Sequence, residues 1–94
     1  MQAQQQAGEI KKRLDAIIVT GNAEGGKITV TATANKAIQS VVIDDDLFKE
    51  SDKEQLEELL VIAINKAMDA AENVSQAEMA ASAKAMFGNL GGLF

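Results

Sequence analysis

The sequence predicts an α+β fold: a short N-terminal helix, a three-stranded antiparallel meander and a long C-terminal helix, assembled as a dimer. The stretch KITVTATA alternates apolar and polar side chains at the two-residue period of a strand. It lies between two other runs rich in β-branched residues, and the short connections between these runs favour antiparallel neighbours. Helix-forming residues dominate both ends of the chain.

The first helix is predicted from Gln2 to about Leu14, because only Gly8 interrupts a series of strong helix formers. Strands are predicted at about 16–21, 27–34 and 37–44. The segments GNAEGG and ANK between them are short enough to be hairpin loops, so consecutive strands should be neighbours in the sheet.

The segment Gly21–Lys27 has the spacing of a phosphate-binding loop, G-x-x-x-x-G-K, with Ile28 where the metal-binding hydroxyl belongs. Such a loop leads from a strand into a helix, whose N-terminus points at the phosphates. Here a strand follows Lys27, so we predict a hairpin that binds no nucleotide.

The long helix is predicted to begin at Ser51, which forms a capping box with Glu54, and Asp52 places negative charge in the first turn. The acidic run before it, DDDLFKES, is predicted to be a turn. No Pro or Gly interrupts the helix before about Met86. The Gly-rich segment 87–94 is predicted to be an irregular tail.

The apolar residues of the long helix cover roughly 200° of its circumference, whereas a helix packed on one side needs about 100°. A central stripe comprises Leu56, Leu59, Leu60, Ala63, Ala67, Ala70, Ala71 and Val74. Val61, Ile64 and Met68 lie beside this stripe. We predict that these three residues form a homodimer interface, the alternative being that they belong to the core of one chain.

Composition excludes several kinds of chemistry. The 94 residues, which we assign to a single domain spanning 1–94, include no His, Cys, Tyr, Trp or Pro. Imidazole and thiol catalysis and the usual zinc ligands are therefore missing. We predict no enzymatic activity, no cofactor, no metal and no small-molecule substrate. The longest apolar run, LLVIAI, is too short to cross a bilayer and the N-terminus does not resemble a signal peptide, so we expect a cytoplasmic protein without membrane contact.

Charged residues suggest two further candidate sites. Asp44, Asp45 and Asp46 could ligate Ca²⁺, but the Gly and Glu that a calcium loop requires at later positions are missing, which favours a solvated turn. Glu57 and Glu58 are adjacent and would diverge on a helix, so they are poor candidates for paired acid–base work.

The ordered motifs of the chain resemble the YbaB/EbfC family of bacterial nucleoid-associated proteins. The matching features are Val19-Thr20-Gly21, a Gly pair, KITVTA, Val41, Ile43 and Asp44, the step Leu56-Glu57-Glu58-Leu59, and the rhythm of Ala63, Asn65 and Ala67. The resemblance covers about residues 14–80. It implies a homodimer with an α/β core and projecting helices that binds double-stranded DNA at the nucleoid without enzymatic activity.

Lys11, Lys12 and Arg13 are the candidate DNA-binding residues, because a run of cations can contact phosphates and a twofold dimer would present it twice. The alternative for these residues is a solvated helix face. The net charge of −5 leaves open an alternative function, an oligomeric protein-interaction module of the same fold without significant DNA affinity.

Overall fold

The computed structural model describes the backbone of residues 2–91 and the side chains of residues 8–85. Along the chain it contains α1 (Gln2–Ala16), β1 (Ile18–Ala23), β2 (Ile28–Thr33), β3 (Ile38–Ile43), α2 (Asp45–Glu50) and α3 (Lys53–Gly91). The strands form one antiparallel sheet in the order β1-β2-β3. The predicted α+β fold and its meander are therefore confirmed.

The central strand β2 supplies the middle of the core. Its residues Ile28, Val30 and Ala32 are fully buried on the face that packs against α3, while Thr29 and Thr31 lie on the other face and are half-buried. Complete burial of an Ile or Val side chain contributes about 1.5–3 kcal/mol. The period-2 alternation seen in the sequence thus determines which face of the sheet α3 covers.

Small residues bring α3 close to β1. Ala63, Ala67 and Ala71 are spaced by four residues on one face of the helix and are fully buried. Gly21 of β1 faces them so closely that a Cβ on this residue would lie less than 3.0 Å from backbone atoms of Ala63 and Ala67. The helix therefore rests on the strand backbone itself.

This packing corrects the predicted limits of the first hairpin. Gly21 was expected at the boundary between the first strand and the loop, but β1 continues through it to Ala23, and the loop is a short 3-10 turn at Glu24–Gly26. Gly25 and Gly26 have φ of 64° and 93°, so these two glycines make the turn. Sequence alone does not distinguish a glycine that turns the chain from one that admits a helix.

The acidic run that was expected to be a turn contains the helix α2. The side chain of Asp44 accepts hydrogen bonds from the backbone N–H of Asp46 at 3.0 Å and of Leu47 at 3.1 Å, and so caps the helix. Leu47 is buried against the core, which anchors this short element beneath α3.

The N-cap of α3 is also one residue later than predicted. Asp52 accepts a hydrogen bond from the backbone N–H of Gln55 at 2.8 Å, whereas Ser51 is the residue that ends α2. Aspartate and serine are both good N-cap residues, so the sequence alone allowed either Ser51 or Asp52 to cap α3. The structure uses Asp52, whose side chain also suits the positive end of the helix dipole.

Helix α3 also continues further than predicted. It reaches Gly91, so residues 87–91 of the predicted irregular tail are helical, and residues 92–94 lie outside the described residues. A single Gly in a helix costs about 1 kcal/mol relative to Ala and does not end it, whereas Pro would, and the chain has none.

The edge strand β3 is largely uncovered. Helix α3 lies across β1 and β2, and Ile38, Val41 and Val42 of β3 remain between 44% and 60% exposed. The register shifts by one residue between the pairs Thr31–Ser40 and Ala32–Ile38, which places a bulge in the strand. An uncharged apolar edge of this kind is a ready surface for pairing.

The molecule is elongated, measuring 64 × 20 × 16 Å. The 39 residues of α3 span about 58 Å at 1.5 Å per residue. The helix packs on the sheet as far as Val74, and from Ser75 onward it runs beside α1. The two helices thus extend together from one end of the sheet.

Candidate nucleic-acid interface

The three candidate DNA-binding residues lie in the last turns of α1 and are all exposed. Successive residues are 100° apart on a helix, so they point in different directions. Arg13 faces α3, where its guanidinium lies 3.5 Å from the carboxylate of Glu78. Lys11 lies over a cavity of about 350 Å³ between α1 and α3. Lys12, which lies between them on the helix, also faces solvent.

The turn between β2 and β3 is attached to this part of α1. The side-chain amide of Asn35 donates one hydrogen bond to the backbone carbonyl of Lys11 at 2.9 Å and another to the carboxylate of Asp15. Both N–H groups of the amide are therefore used on α1. The turn and the basic residues form one continuous surface, and nothing in the local sequence pattern indicates this contact between residues 24 positions apart.

Lys36 follows Asn35 in this turn and reaches α3. Its ammonium lies 2.7 Å from the carboxylate of Glu72. This hydrogen bond lowers the pKa of the Glu72 carboxyl, and a second one, donated by Gln76 at 3.1 Å, lowers it further. Lys36 and Arg13 thus each pair with a carboxylate of α3 at the same end of the molecule.

Charge is strongly segregated along the molecule. We call residues 8–17, 33–40 and 68–85 the α1 end, and residues 18–32 and 41–67 the α2 end. The α1 end carries Lys11, Lys12, Arg13, Lys36 and Lys84 against Glu9, Asp15, Asp69, Glu72 and Glu78, and is neutral. The α2 end carries Lys27, Lys49, Lys53 and Lys66 against Glu24, Asp44, Asp45, Asp46, Glu50, Asp52, Glu54, Glu57 and Glu58. The net charge of −5 therefore lies entirely at the α2 end.

The predicted dimer residues lie on one flank of α3. Val61 is 56% exposed, whereas Ile64 and Met68 are half-buried against the core of their own chain. The same flank carries Glu72, whose carboxylate reaches Lys36 in the β2–β3 turn. Val61 is the member of the set that is free of the chain's own core.

The remaining acidic candidates have local structural roles. Asp44 caps α2, as described above, and Glu57 lies 3.7 Å from Lys53 one turn earlier on α3. Among the residues whose side chains are described, no three acidic groups lie close enough together to hold a metal ion. None of the helices within residues 2–91 combines the length and apolar character needed to cross a bilayer.

The protein has a small α+β core from which two helices project, and exposed cations lie where these helices meet the sheet. This arrangement defines a binding protein of elongated shape. The chain belongs to the YbaB/EbfC DNA-binding family, whose model matches residues 1–86. This match extends the resemblance seen in the sequence to include α1 and its basic residues. The family is a DNA-binding family and not an enzyme family.

Bacterial relatives described as nucleoid-associated proteins support this assignment. The chain is 39% identical to one from Flavobacterium johnsoniae over 83 residues, which cover 88% of this chain and 76% of the relative. It is 36% identical to one from Chloroflexus aurantiacus over 93 residues, covering 99% and 89%. A third, from Afipia carboxidovorans, is 39% identical and covers 95% and 81%.

A solved structure has the same fold. The crystal structure of an uncharacterized protein from Helicobacter pylori superposes with a TM-score of 0.69, covering 79% of this chain and 77% of the other. At 23% identity this likeness concerns the fold alone.

Proposed function

We propose that this protein binds double-stranded DNA at the nucleoid as a homodimer, mainly through phosphate contacts made by Lys11, Lys12 and Arg13. The observation that carries the proposal is the segregation of charge. A chain with a net charge of −5 is repelled by DNA as a whole, but its α1 end is neutral and presents exposed cations at the base of the helix pair. That end is therefore the part of the surface that can approach a polyanion.

The geometry limits how many phosphates each subunit contacts. Because consecutive side chains of α1 diverge, we expect two contacts per subunit. Arg13 must exchange the carboxylate of Glu78 for a phosphate when it binds. Contacts of this kind hold the protein on the duplex but do not read its bases, so discrimination between sequences should be slight.

The homodimer is supported by the apolar surface that one chain leaves open. Val61 on α3 and Ile38, Val41 and Val42 on β3 are exposed, and β3 is an edge strand without charged residues. Two identical strands can pair antiparallel about a twofold axis, which is the commonest symmetry of soluble oligomers. A dimer would also double the number of cations available to one duplex.

Fluorescence anisotropy of a labelled duplex at several salt concentrations tests the DNA-binding proposal. The parent should bind weakly, and the four phosphate contacts that α1 makes per dimer should contribute about −3 to −4 to the slope of log affinity against log salt. The triple variant Lys11→Ala, Lys12→Ala, Arg13→Ala should lose most of this binding. The matched control is Lys27→Ala, Lys49→Ala, Lys53→Ala, which removes the same charge from the α2 end and should bind like the parent.

The alternative function, a protein-interaction module without DNA affinity, is favoured by one specific observation. Arg13 and Lys36 are already paired with carboxylates of their own chain, which lowers the positive charge offered to a phosphate. Absence of parent binding even at ~20 mM salt, where the electrostatic attraction is strongest, would establish this alternative. Binding that survives in the triple variant would instead show that the DNA site lies elsewhere.

A further inference from the structure

We infer that the β2–β3 turn is a second DNA-contacting element, in which Lys36 binds phosphate. In the free protein the ammonium of Lys36 is paired with the carboxylate of Glu72. The inference rests on the proposed function and adds a residue that the sequence analysis did not single out.

The β2–β3 turn is attached to the basic segment of α1. Asn35 hydrogen-bonds the carbonyl of Lys11 at 2.9 Å and the carboxylate of Asp15, so the residue before Lys36 is fixed to the basic segment of α1. The turn therefore lies next to the surface that the proposed function assigns to phosphate binding. Asn35 is therefore a positioning residue, which holds the cation of the turn beside those of the helix.

The backbone of Lys36 has an unusual conformation for a lysine. Its φ is 68°, in the left-handed region where a three-residue hairpin loop favours Gly or Asn. A lysine at this position is strained relative to glycine. Glu24 in the first hairpin is also left-handed, with φ of 53°, but only Lys36 combines this strain with a cation beside those of α1.

Lys36 forms an exposed ion pair with Glu72. The two side chains are about half exposed, at 50% and 46%, and a pair this open to solvent contributes little to folding stability. Stability alone is thus a poor account of a strained lysine. A carboxylate 2.7 Å from an ammonium offers the same kind of oxygen acceptor as a phosphate, so DNA can take its place. Arg13 pairs with Glu78 in the same way further along α3.

Lys36→Gln tests the contact directly, and Lys27→Gln is the matched control because it removes the same charge from the exposed loop at the other end of β2. Lys36→Gln should weaken duplex binding on the order of tenfold at ~50 mM salt. It should also reduce the magnitude of the salt slope by about 1 for each phosphate that is no longer neutralised. Lys27→Gln should leave the slope unchanged. Equal behaviour of the two variants would overturn the inference.

Lys36→Gly separates a DNA contact from a structural role. Glycine relieves the left-handed backbone, so the variant should unfold at the same or a higher urea concentration than the parent. It should nonetheless lose DNA affinity to the same extent as Lys36→Gln. A glycine variant that binds DNA like the parent would contradict the inference.

Glu72→Gln tests whether the carboxylate competes with phosphate. It should raise DNA affinity more than Glu57→Gln, which makes the same charge change in the pair with Lys53. In the complex with DNA, carboxyl NMR should show the pKa of Glu72 rising from its lowered value as Lys36 leaves it. An affinity gain no larger than that of Glu57→Gln, or a Glu72 pKa that DNA leaves unchanged, would exclude the exchange.

These outcomes distinguish the inference from the function on which it rests. A parent that binds no duplex contradicts the proposed function and, with it, the inference. A parent that binds and loses binding in the α1 triple variant, but not in Lys36→Gln or Lys36→Gly, upholds the function and rejects the turn as a contact.

Discussion

Gly21 of β1 lies directly against the backbone of Ala67 in α3, with no room for a side chain between them. This contact determines how closely the long helix approaches the sheet, and it is continued on either side by the fully buried Ala63 and Ala71. Gly21 and Ala67 are 46 residues apart in the sequence, so the main role of this glycine is in tertiary packing. Its role in the hairpin that follows is secondary.

We predict that Gly21→Ala destabilises the protein by about 3 kcal/mol or more, the upper part of the range for overpacking, because the added Cβ meets backbone atoms that cannot rotate away. The free energy of unfolding in urea measures the effect. Gly8→Ala is the control, since a Cβ there meets nothing within 4 Å, and it should stabilise α1 by about 0.5–1 kcal/mol. Equal effects of the two variants would show that the close approach is unimportant.

The cap of α3 gives a second prediction. Asp52→Ala removes the acceptor for the backbone N–H of Gln55 and should lower the free energy of unfolding by about 1 kcal/mol. Ser51→Ala should change it by less than about 0.5 kcal/mol, since Ser51 does not cap α3. Urea denaturation of both variants is sufficient, and the reverse order of effects would restore the capping box predicted from the sequence.

A third prediction concerns the dimer. Val61→Glu places a charge where a single chain tolerates it, because the side chain is 56% exposed, but where an apolar interface would not. Sedimentation equilibrium at micromolar concentration should show a dimer for the parent and a folded monomer for the variant. Asn73→Glu, on an exposed polar position of the same helix, should remain dimeric. A monomeric, folded parent would reject the homodimer.

The pair of Lys36 and Glu72 gives a pH dependence. The pKa of Glu72 is lower in the folded state than its ordinary value of 4.5, so its contribution to stability is complete above that value. The contribution is lost as the pH falls through the lowered pKa. The urea midpoints of the parent and of Glu72→Gln should therefore differ slightly at neutral pH and coincide in acid. The difference between the parent and Glu57→Gln is subtracted to correct for the change in charge. A difference that persists or grows in acid would refute this assignment.

The first hairpin should not bind nucleotides. The loop Glu24–Gly26 joins two antiparallel strands and is followed by β2, so it lacks the strand-to-helix geometry of a phosphate-binding loop. Isothermal titration with ATP and GTP should give no heat of binding at micromolar concentrations. Micromolar affinity that disappears in Lys27→Ala would contradict the prediction.

Much of the fold could be predicted because its elements have strong local signals. The alternation around Ile28 and Val30 predicted β2, and the absence of Pro predicted an unbroken α3. The errors arise where one residue type serves two purposes. The first strand was predicted to end at Gly21 because the close approach of α3 is a tertiary contact, and Asp52 displaced Ser51 because both residues cap helices well.

The candidate site was only partly accessible from the sequence. Lys11, Lys12 and Arg13 are recognisable as a run, but the attachment of Asn35 to α1 and the pairing of Lys36 with Glu72 join residues 24 and 36 positions apart. Such contacts depend on how the turn and the helices meet in space. They leave no periodic or compositional signal, apart from a lysine in a short hairpin loop.

The segregation of charge gives each chain an electric dipole between its neutral α1 end and its acidic α2 end. A twofold axis cancels the components of two such dipoles perpendicular to it and adds the components along it. If both α1 ends point the same way along that axis, the dimer turns them toward a polyanion before any contact is made, although the particle as a whole is repelled. Productive encounters with DNA would then be selected by orientation, with the acidic α2 ends directed away from the duplex.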